Sequence, residues 1–475
     1  MPLVIHPNMS GPDEVYQSME QGHRLAFGYG LVPWEFAYSA RSWLLGYMVA
    51  GPMKLAGLFG AGPQVYLALV WAMFALPAAC VALCAFFWGR RVYGTAGGIA
   101  VALVSAGWLD NVYFGGRATG EVLGGHLLIV ACYLAEPGHP VENRQRLFWS
   151  GVLAGAAVML RVQLLPALLV LLVWNWSRRR TIAIGAGVLA AIALDGIFDA
   201  MTWHYPFEPL WHNVQFNVLD NHAAAFGVAP WWFYFMQMAA NWGAAMPLFF
   251  ALALLGARRA KLLLVMALVI LASHSLIVHK EYRFITPCVM MLSILAGFGM
   301  VELARAVRHG WKAGGRLEAG RSVSAILAVC WGGLLLIDLI GRDYKDMWNE
   351  GYDAVRVAYD LRLRPELCGV GYFKHDYSKI PGYTFLHRRV RLYDSEGAHG
   401  GDFEKDRPGY NFLVSDTSHP RDMSSFPGYR KLRCFGVLCE FERPGGCRTI
   451  VETPPPALPM GLIAARYYPV TVGVP

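Results

Sequence analysis

Residues 261–305 read KLLLVMALVILASHSLIVHKEYRFITPCVMMLSILAGFGMVELAR. Two apolar runs, 261–279 and 284–305, each reach the roughly 17–25 residues that a bilayer-spanning helix needs. Between them sits the polar stretch His279-Lys280-Glu281-Tyr282-Arg283-Phe284. Similar apolar windows lie near 63–88, 95–113, 120–136, 181–200, 231–256 and 322–341. The stretch 147–176 is interrupted by Arg161-Val162-Gln163 and Pro166, which fits two short helices meeting at Arg161. The expectation is an α-helical polytopic membrane protein with about ten membrane segments. Composition agrees: of 475 residues, 56% are hydrophobic and only 16% charged, against about 25% charged in soluble domains. That excludes a disordered chain and argues against a cytosolic enzyme. The 16 Trp and 22 Tyr suit a chain with two water–lipid interfaces.

Lys and Arg accumulate in cytoplasmic loops. Arg90 and Arg91, then Arg144 and Arg146, Arg178 to Arg180, Arg258, Arg259 and Lys261, and finally the run Arg305 to Arg321 fall on one side under this count. The opposite loops hold only Arg117, Arg161, Lys280 and Arg283. The net charge of +8 is thus read as topology, not as nucleic-acid binding. Three regions follow: an extracytoplasmic first loop over 1–62, a transmembrane domain over 63–345, and an extracytoplasmic α/β domain over 346–475. Residues 1–30 contain no apolar run, so a further helix ahead of Met1 is expected. Arg-, Ala- and Gly-rich composition suggests a high-GC bacterium, and hence a bacterial inner membrane rather than the endoplasmic reticulum.

The tail after 346 is rich in charge, Pro and Gly. Tyr352 to Leu363 suits a helix, and Cys368 to Phe373, Asn411 to Val414 and Leu438 to Phe441 suit short strands. Four of the nine Cys lie there, Cys368, Cys434, Cys439 and Cys447. An oxidising exterior permits at least one disulfide among them, with three pairings open.

Two loops carry candidate chemistry. Pro12-Asp13-Glu14 opens a polar stretch through Gln17, Ser18, Glu20 and His23 to Trp34-Glu35. Pro followed by acids is a plain helix start; it also suits a carboxylate acting as general base. In the second loop, two cations, a His and a carboxylate within five residues suit an anionic group, and at a membrane the natural anion is a lipid phosphate. Arg117 and Arg161 share that face. A base opposite a phosphate sink implies group transfer from a lipid phosphate. A transporter or lipid flippase is the competing reading, but it asks for internal repeats and charges near the bilayer midplane. No repeat is visible.

His279-Lys280-Glu281-Tyr282-Arg283-Phe284 closely resembles the H-K-E-x-R-F signature of glycosyltransferase family 22, the GT-C-fold mannosyltransferases that use polyprenyl-phosphate mannose. Pro12-Asp13-Glu14 with Gln17-Ser18, Glu20, His23 to Gly28, Trp34-Glu35 and Arg41-Ser42 resembles that family's first luminal loop. Phe216, Asn217, Val218, Trp231 and Tyr234 resemble a later loop, and Arg161 and Gln163 a short R-x-Q element. The likeness covers about 1–345. Gly11 stands where His usually precedes Pro-Asp-Glu, and Tyr282 where a second Glu is often found.

The resemblance implies an inverting hexose transfer, with mannose the expected sugar. Asp13 maps onto the base that deprotonates the acceptor hydroxyl, with Glu14 beside it orienting the base or binding the sugar. His279, Lys280 and Arg283, with Arg117, would receive the donor phosphate. Glu281, Arg161, Gln163, Asn217 and Trp231 would bind substrate. The partners implied are a polyprenyl-phosphate-linked sugar, a glycan or glycolipid acceptor and membrane lipid. No metal or other cofactor is implied.

Overall fold

The computed structural model describes residues 2–137, 143–313, 328–329, 331–333, 335–336, 342–374, 379–395, 403–416 and 426–448. The expected span 322–341 lies largely outside them. The chain forms two compact units. One comprises 1–71, 199–221 and 347–475, the other 72–198 and 222–346. The first loop, the 199–221 loop and the tail, separate in sequence, therefore belong to one body.

The second unit is helical. Among the described residues, three helices are long and apolar enough to cross a bilayer: Pro63–Ala106, Arg178–Thr202 and Tyr282–His309. The first joins two expected spans across a kink at Gly94, whose φ of +77° is open to glycine at no steric cost. The expected span 231–256 is two helices, Phe233–Trp242 and Ala245–Ala257, bent by 110°. The bend falls at Gly243, φ +48°. Hydropathy does not register it because both arms are apolar. Leu103, Leu189, Leu194 and Leu268 are all more than half exposed. Such side chains on a helical bundle are a lipid-facing surface.

The helix Ala245–Ala257 packs on Thr286–Ala313 through Gly256 and Gly299; a Cβ on either would run into the backbone of the other helix. Basic residues from several loops meet at one end of this unit. Arg146 donates to the Leu134 carbonyl and Arg180 to the Ala135 carbonyl. Arg91 pairs with Glu136 at 2.5 Å and Arg259 with Glu302 at 2.6 Å.

In the other unit the tail builds a five-stranded mixed sheet, with strands β1 (Gly369–Phe373), β2 (Arg391–Asp394), β3 (Phe412–Asp416), β4 (Arg430–Phe435) and β5 (Leu438–Glu442) in the order β2-β1-β3-β5-β4. β1 runs parallel to both neighbours; β5 is antiparallel to β3 and β4. Tyr352–Arg362 is helical, as its spacing suggests. Two disulfides join Cys368 to Cys447 and Cys434 to Cys439, the second between residues paired across β4 and β5. Cys80, Cys84, Cys132 and Cys288 are free thiols.

The sheet domain is fastened to the first loop by one carboxylate. Glu20, wholly buried, accepts hydrogen bonds from the Leu31 amide at 2.8 Å, the Tyr383 and Thr384 amides at 3.1 and 2.9 Å, and the Thr384 hydroxyl at 2.6 Å. Tyr16 donates to the Ile380 carbonyl at 2.8 Å, and His23 Nε2 meets His387 Nδ1 at 2.9 Å. Burial pushes both imidazoles down to about 4, so at neutral pH this contact joins two uncharged rings.

Candidate functional site

In the first unit a helix starts at Pro12, and from Glu14 to Met19 its turns widen to π-helical geometry before α-helix resumes at Glu20. Such widened turns recur at functional sites. Asp13 precedes the widened stretch and is half-buried, and its side chain makes no capping bond to the helix start. A capping bond is therefore not what this carboxylate supplies to the helix. Glu14 is turned inward: its Oε2 accepts from the Ser10 amide and hydroxyl, both at 2.9 Å. It shapes the loop that presents Asp13.

Glu35 lies close by and is 6% exposed. Gln17 donates to its Oε1 at 2.7 Å. Burial, reinforced by the negative charge of Asp13, lifts its carboxyl to about 7, while Arg41 opposes the shift. The sequence reading placed Glu35 in the motif but gave it no role. Asn217 sits on a second π-helical stretch, Gln215–Leu219. The Phe216 ring packs tilted against Trp34 at 4.0 Å, and His212 Nδ1 bonds the Tyr38 carbonyl at 2.9 Å. The 199–221 loop thereby braces the acidic loop.

The raised Glu35 has a measurable consequence. Between about pH 4.5 and 7 the folded chain keeps a proton that the unfolded chain has lost, so stability falls as pH rises through that window. The loss is on the order of 3 kcal/mol. Glu35→Gln should flatten this part of the pH profile of thermal unfolding. An unchanged slope in the variant would assign the slope to other groups.

In the second unit the basic loop is densely tied. His279 Nε2 lies 3.0 Å from Glu281 Oε1, and Arg283 pairs with Glu281 Oε2 at 2.8 Å. Burial alone would raise the Glu281 carboxyl. The Arg283 charge and the bonds from His279 and Arg283 outweigh it and hold the group down at about 2. Lys280 is 7% exposed and donates to the Ala229 carbonyl at 2.8 Å and to the Ile277 carbonyl. Two of its three donors thus lock the loop. Arg283 is 5% exposed.

A carboxylate without a role in the sequence reading organises this cluster. Glu121, in the first turn of Gly120–Ala135, is buried. Its Oε1 lies 2.5 Å from Arg161 Nη2 and 4.0 Å from Arg283 Nε. Arg161 also lies over the Phe284 ring at 5.0 Å. Gly120 permits this approach, since a Cβ there would press on the Leu160 carbonyl and the Arg161 stem. The only sequence signal for Glu121 is an acid in an apolar window, which reads equally as a helix start.

Arg117 is fully buried and stacks over Tyr113 at 4.3 Å. Gln163 is half-buried in the short turn after Arg161. Trp231 is 62% exposed beside Trp232. The structure therefore joins His279, Glu281, Arg283 and Arg161 into one network through Glu121. Among the described residues, no ion pair or hydrogen bond joins Gln163 or Trp231 to it.

The sequence profile of the Alg9-like mannosyltransferase family matches residues 2–340, a range holding both the acidic motif and the basic loop. The chain belongs to the Alg9-like mannosyltransferase family. GPI mannosyltransferase 3 of Yarrowia lipolytica is 27% identical over 416 residues, covering 80% of this chain and 72% of the relative. GPI alpha-1,2-mannosyltransferase 3 of Homo sapiens is 27% identical over 318 residues, covering 62% and 54%, and that of Bos taurus 25% over 309, covering 62% and 55%. The chain thus spans little more than half the length of these mammalian relatives. The crystal structure of ArnT from Cupriavidus metallidurans bound to undecaprenyl phosphate aligns with a TM-score of 0.60 at 14% identity, over 92% of this chain and 95% of that one. Its apo form gives 0.57 at 12%, over 92% and 93%. This likeness shows the fold, which is GT-C. Membership of the Alg9-like family together with that fold makes the chain a membrane glycosyltransferase. These three relatives are eukaryotic, so the bacterial membrane expected from composition gains no support from them.

Proposed function

We propose that the chain is an inverting mannosyltransferase. It moves the sugar from a polyprenyl-phosphate donor to a hydroxyl of a glycan or glycolipid acceptor on the extracytoplasmic side of the membrane. Asp13 takes the acceptor proton. The freed oxygen attacks the anomeric carbon from the face opposite the phosphate. The bond from that carbon to the phosphate oxygen breaks, and polyprenyl phosphate leaves with the electron pair. Negative charge grows on the leaving oxygen, and cations already in place stabilise it without reorganisation. His279, Lys280 and Arg283, with Arg117, supply that charge. Glu281, Arg161, Gln163, Asn217 and Trp231 bind substrate.

The observation that carries this reading is the buried Arg283 held between two carboxylates, Glu281 at 2.8 Å and Glu121 at 4.0 Å. A guanidinium so fixed is aimed before substrate arrives. Losing a charge-assisted contact to phosphate costs about 1.5–3 kcal/mol, roughly one to two decades in rate. Arg283→Ala should lose that much transfer from labelled polyprenyl-phosphate mannose in membranes of equal expression. Arg305→Ala, at the Lys/Arg-rich end of the helical unit, should lose little. Equal activity of the two variants would refute the phosphate role.

A further inference from the structure

At the Lys/Arg-rich end of the helical unit lies a cavity of about 270 Å³, lined by Trp88, Glu136, Trp174, Arg258, Arg259 and Lys261. It opens where three helices end and a fourth nears its kink. Trp88 precedes the kink in Pro63–Ala106, Glu136 follows Gly120–Ala135, Trp174 ends Leu165–Trp174, and Arg258 follows Ala245–Ala257. The helix Lys261–Leu276 begins there, with no side chain capping its first amides. Unfilled donors at a helix start favour an anion.

The charges are not balanced within the cavity. Glu136 is already held by the Trp88 indole at 2.7 Å and by Arg91 at 2.5 Å. Arg259 is paired with Glu302 at 2.6 Å. Arg258 and Lys261 are exposed and have no carboxylate partner among the described residues. On the same three helices apolar side chains are exposed: Val173, next to Trp174, by 67%, Leu254, one turn before Arg258, by 63%, and Leu268, two turns after Lys261, by 53%. The site thus offers two uncommitted cations, indole rings suited to a headgroup region, and an apolar border leading into the bilayer.

We propose that this cavity binds the phosphate of an anionic phospholipid headgroup, with the acyl chains lying along Val173, Leu254 and Leu268. Arg258 and Lys261 contact the phosphate, and the uncapped start of Lys261–Leu276 adds backbone donors. A small soluble anion shares the phosphate chemistry but has no use for the apolar border.

The test uses the purified full chain in detergent with a fluorescent phosphatidylglycerol. Phosphatidylcholine and inorganic phosphate serve as competitors. The wild type should bind phosphatidylglycerol, resist competition by phosphatidylcholine and be little affected by inorganic phosphate. Each basic residue near a membrane surface contributes about a fivefold preference for anionic lipid, so Arg258→Gln with Lys261→Gln should weaken binding by about 25-fold. Arg178→Gln with Arg179→Gln removes two exposed cations from the same end but not from the cavity, and should bind as wild type. Equal loss in both double variants would reduce the effect to general surface charge and overturn the site. Displacement by inorganic phosphate as readily as by unlabelled phosphatidylglycerol would overturn the lipid assignment.

Discussion

Asp13→Asn should lower sugar transfer by about 10²–10⁴-fold, the usual contribution of a general base, while donor binding persists. The substitution keeps the size of the side chain and its ability to accept a hydrogen bond. It removes only the proton acceptor. Because Asp13 makes no capping bond in this structure, its loss should not unravel the widened helix that follows. A second readout is independent of activity. The Asp13 charge is one of the two causes that raise Glu35, so Asn at 13 should shift the fall of stability with pH to lower pH. Glu14→Gln is the neighbour control. Its oxygen can still accept from Ser10, so transfer should drop far less. The assay is transfer from a labelled polyprenyl-phosphate sugar, with donor affinity measured on the same preparation. Near wild-type transfer by Asp13→Asn would remove it as the base. The shift in the pH profile would then report only its closeness to Glu35.

What the sequence makes legible is what residue type alone determines. The apolar windows and the polar hexapeptide between two of them are visible because burial and charge are properties of single residues. The pairing of Arg161 with Arg283 is not visible, because it depends on Glu121, and an acid at a helix start has an ordinary explanation. The tail behaves alike. Three of its strands are apolar enough to be read from sequence. The two that escape, Arg391–Asp394 and Arg430–Phe435, are the edges of the sheet. Edge strands carry charge that discourages further pairing, and the same charge hides them from a hydropathy reading.

Tyr282 shows how a departure from a family pattern acquires a physical reason. The resemblance puts Glu there in many members. Here the Tyr282 hydroxyl donates to Asp110 Oδ1 at 3.0 Å, while the indoles of Trp108 and Trp242 donate to Oδ2 at 2.8 and 2.6 Å. A Glu at 282 would set a second carboxylate against a buried first one. The choice of Tyr is thus tied to Asp110, a residue about 170 positions away, and one sequence without its fold gives no sign of that link.

Glu121→Ala should destabilise the folded chain by about 3–5 kcal/mol, the cost of removing one partner from a buried ion pair. Two guanidiniums depend on this carboxylate. Arg161 loses its contact at 2.5 Å, and Arg283 loses the carboxylate 4.0 Å away. The fall in stability alone would not separate a structural network from a phosphate site. The response to ligand does. If Arg283 receives the donor phosphate and Arg161 the sugar beside it, polyprenyl phosphate supplies the variant with the anion that Arg283 lacks. The ligand should then raise the melting temperature of Glu121→Ala more than that of the wild type, because stabilisation by a ligand grows as its affinity for the folded state rises. In the wild type, Glu121 competes for Arg283, and its removal frees that guanidinium for phosphate. Asp360→Ala, which breaks the pair with Arg364 in the tail, should show no such gain. Thermal unfolding of the purified proteins in detergent, with and without polyprenyl phosphate, decides it. Equal shifts in wild type and Glu121→Ala would mean that Arg161 and Arg283 serve the fold alone, and the leaving phosphate would then have to be held by Arg117, His279 and Lys280.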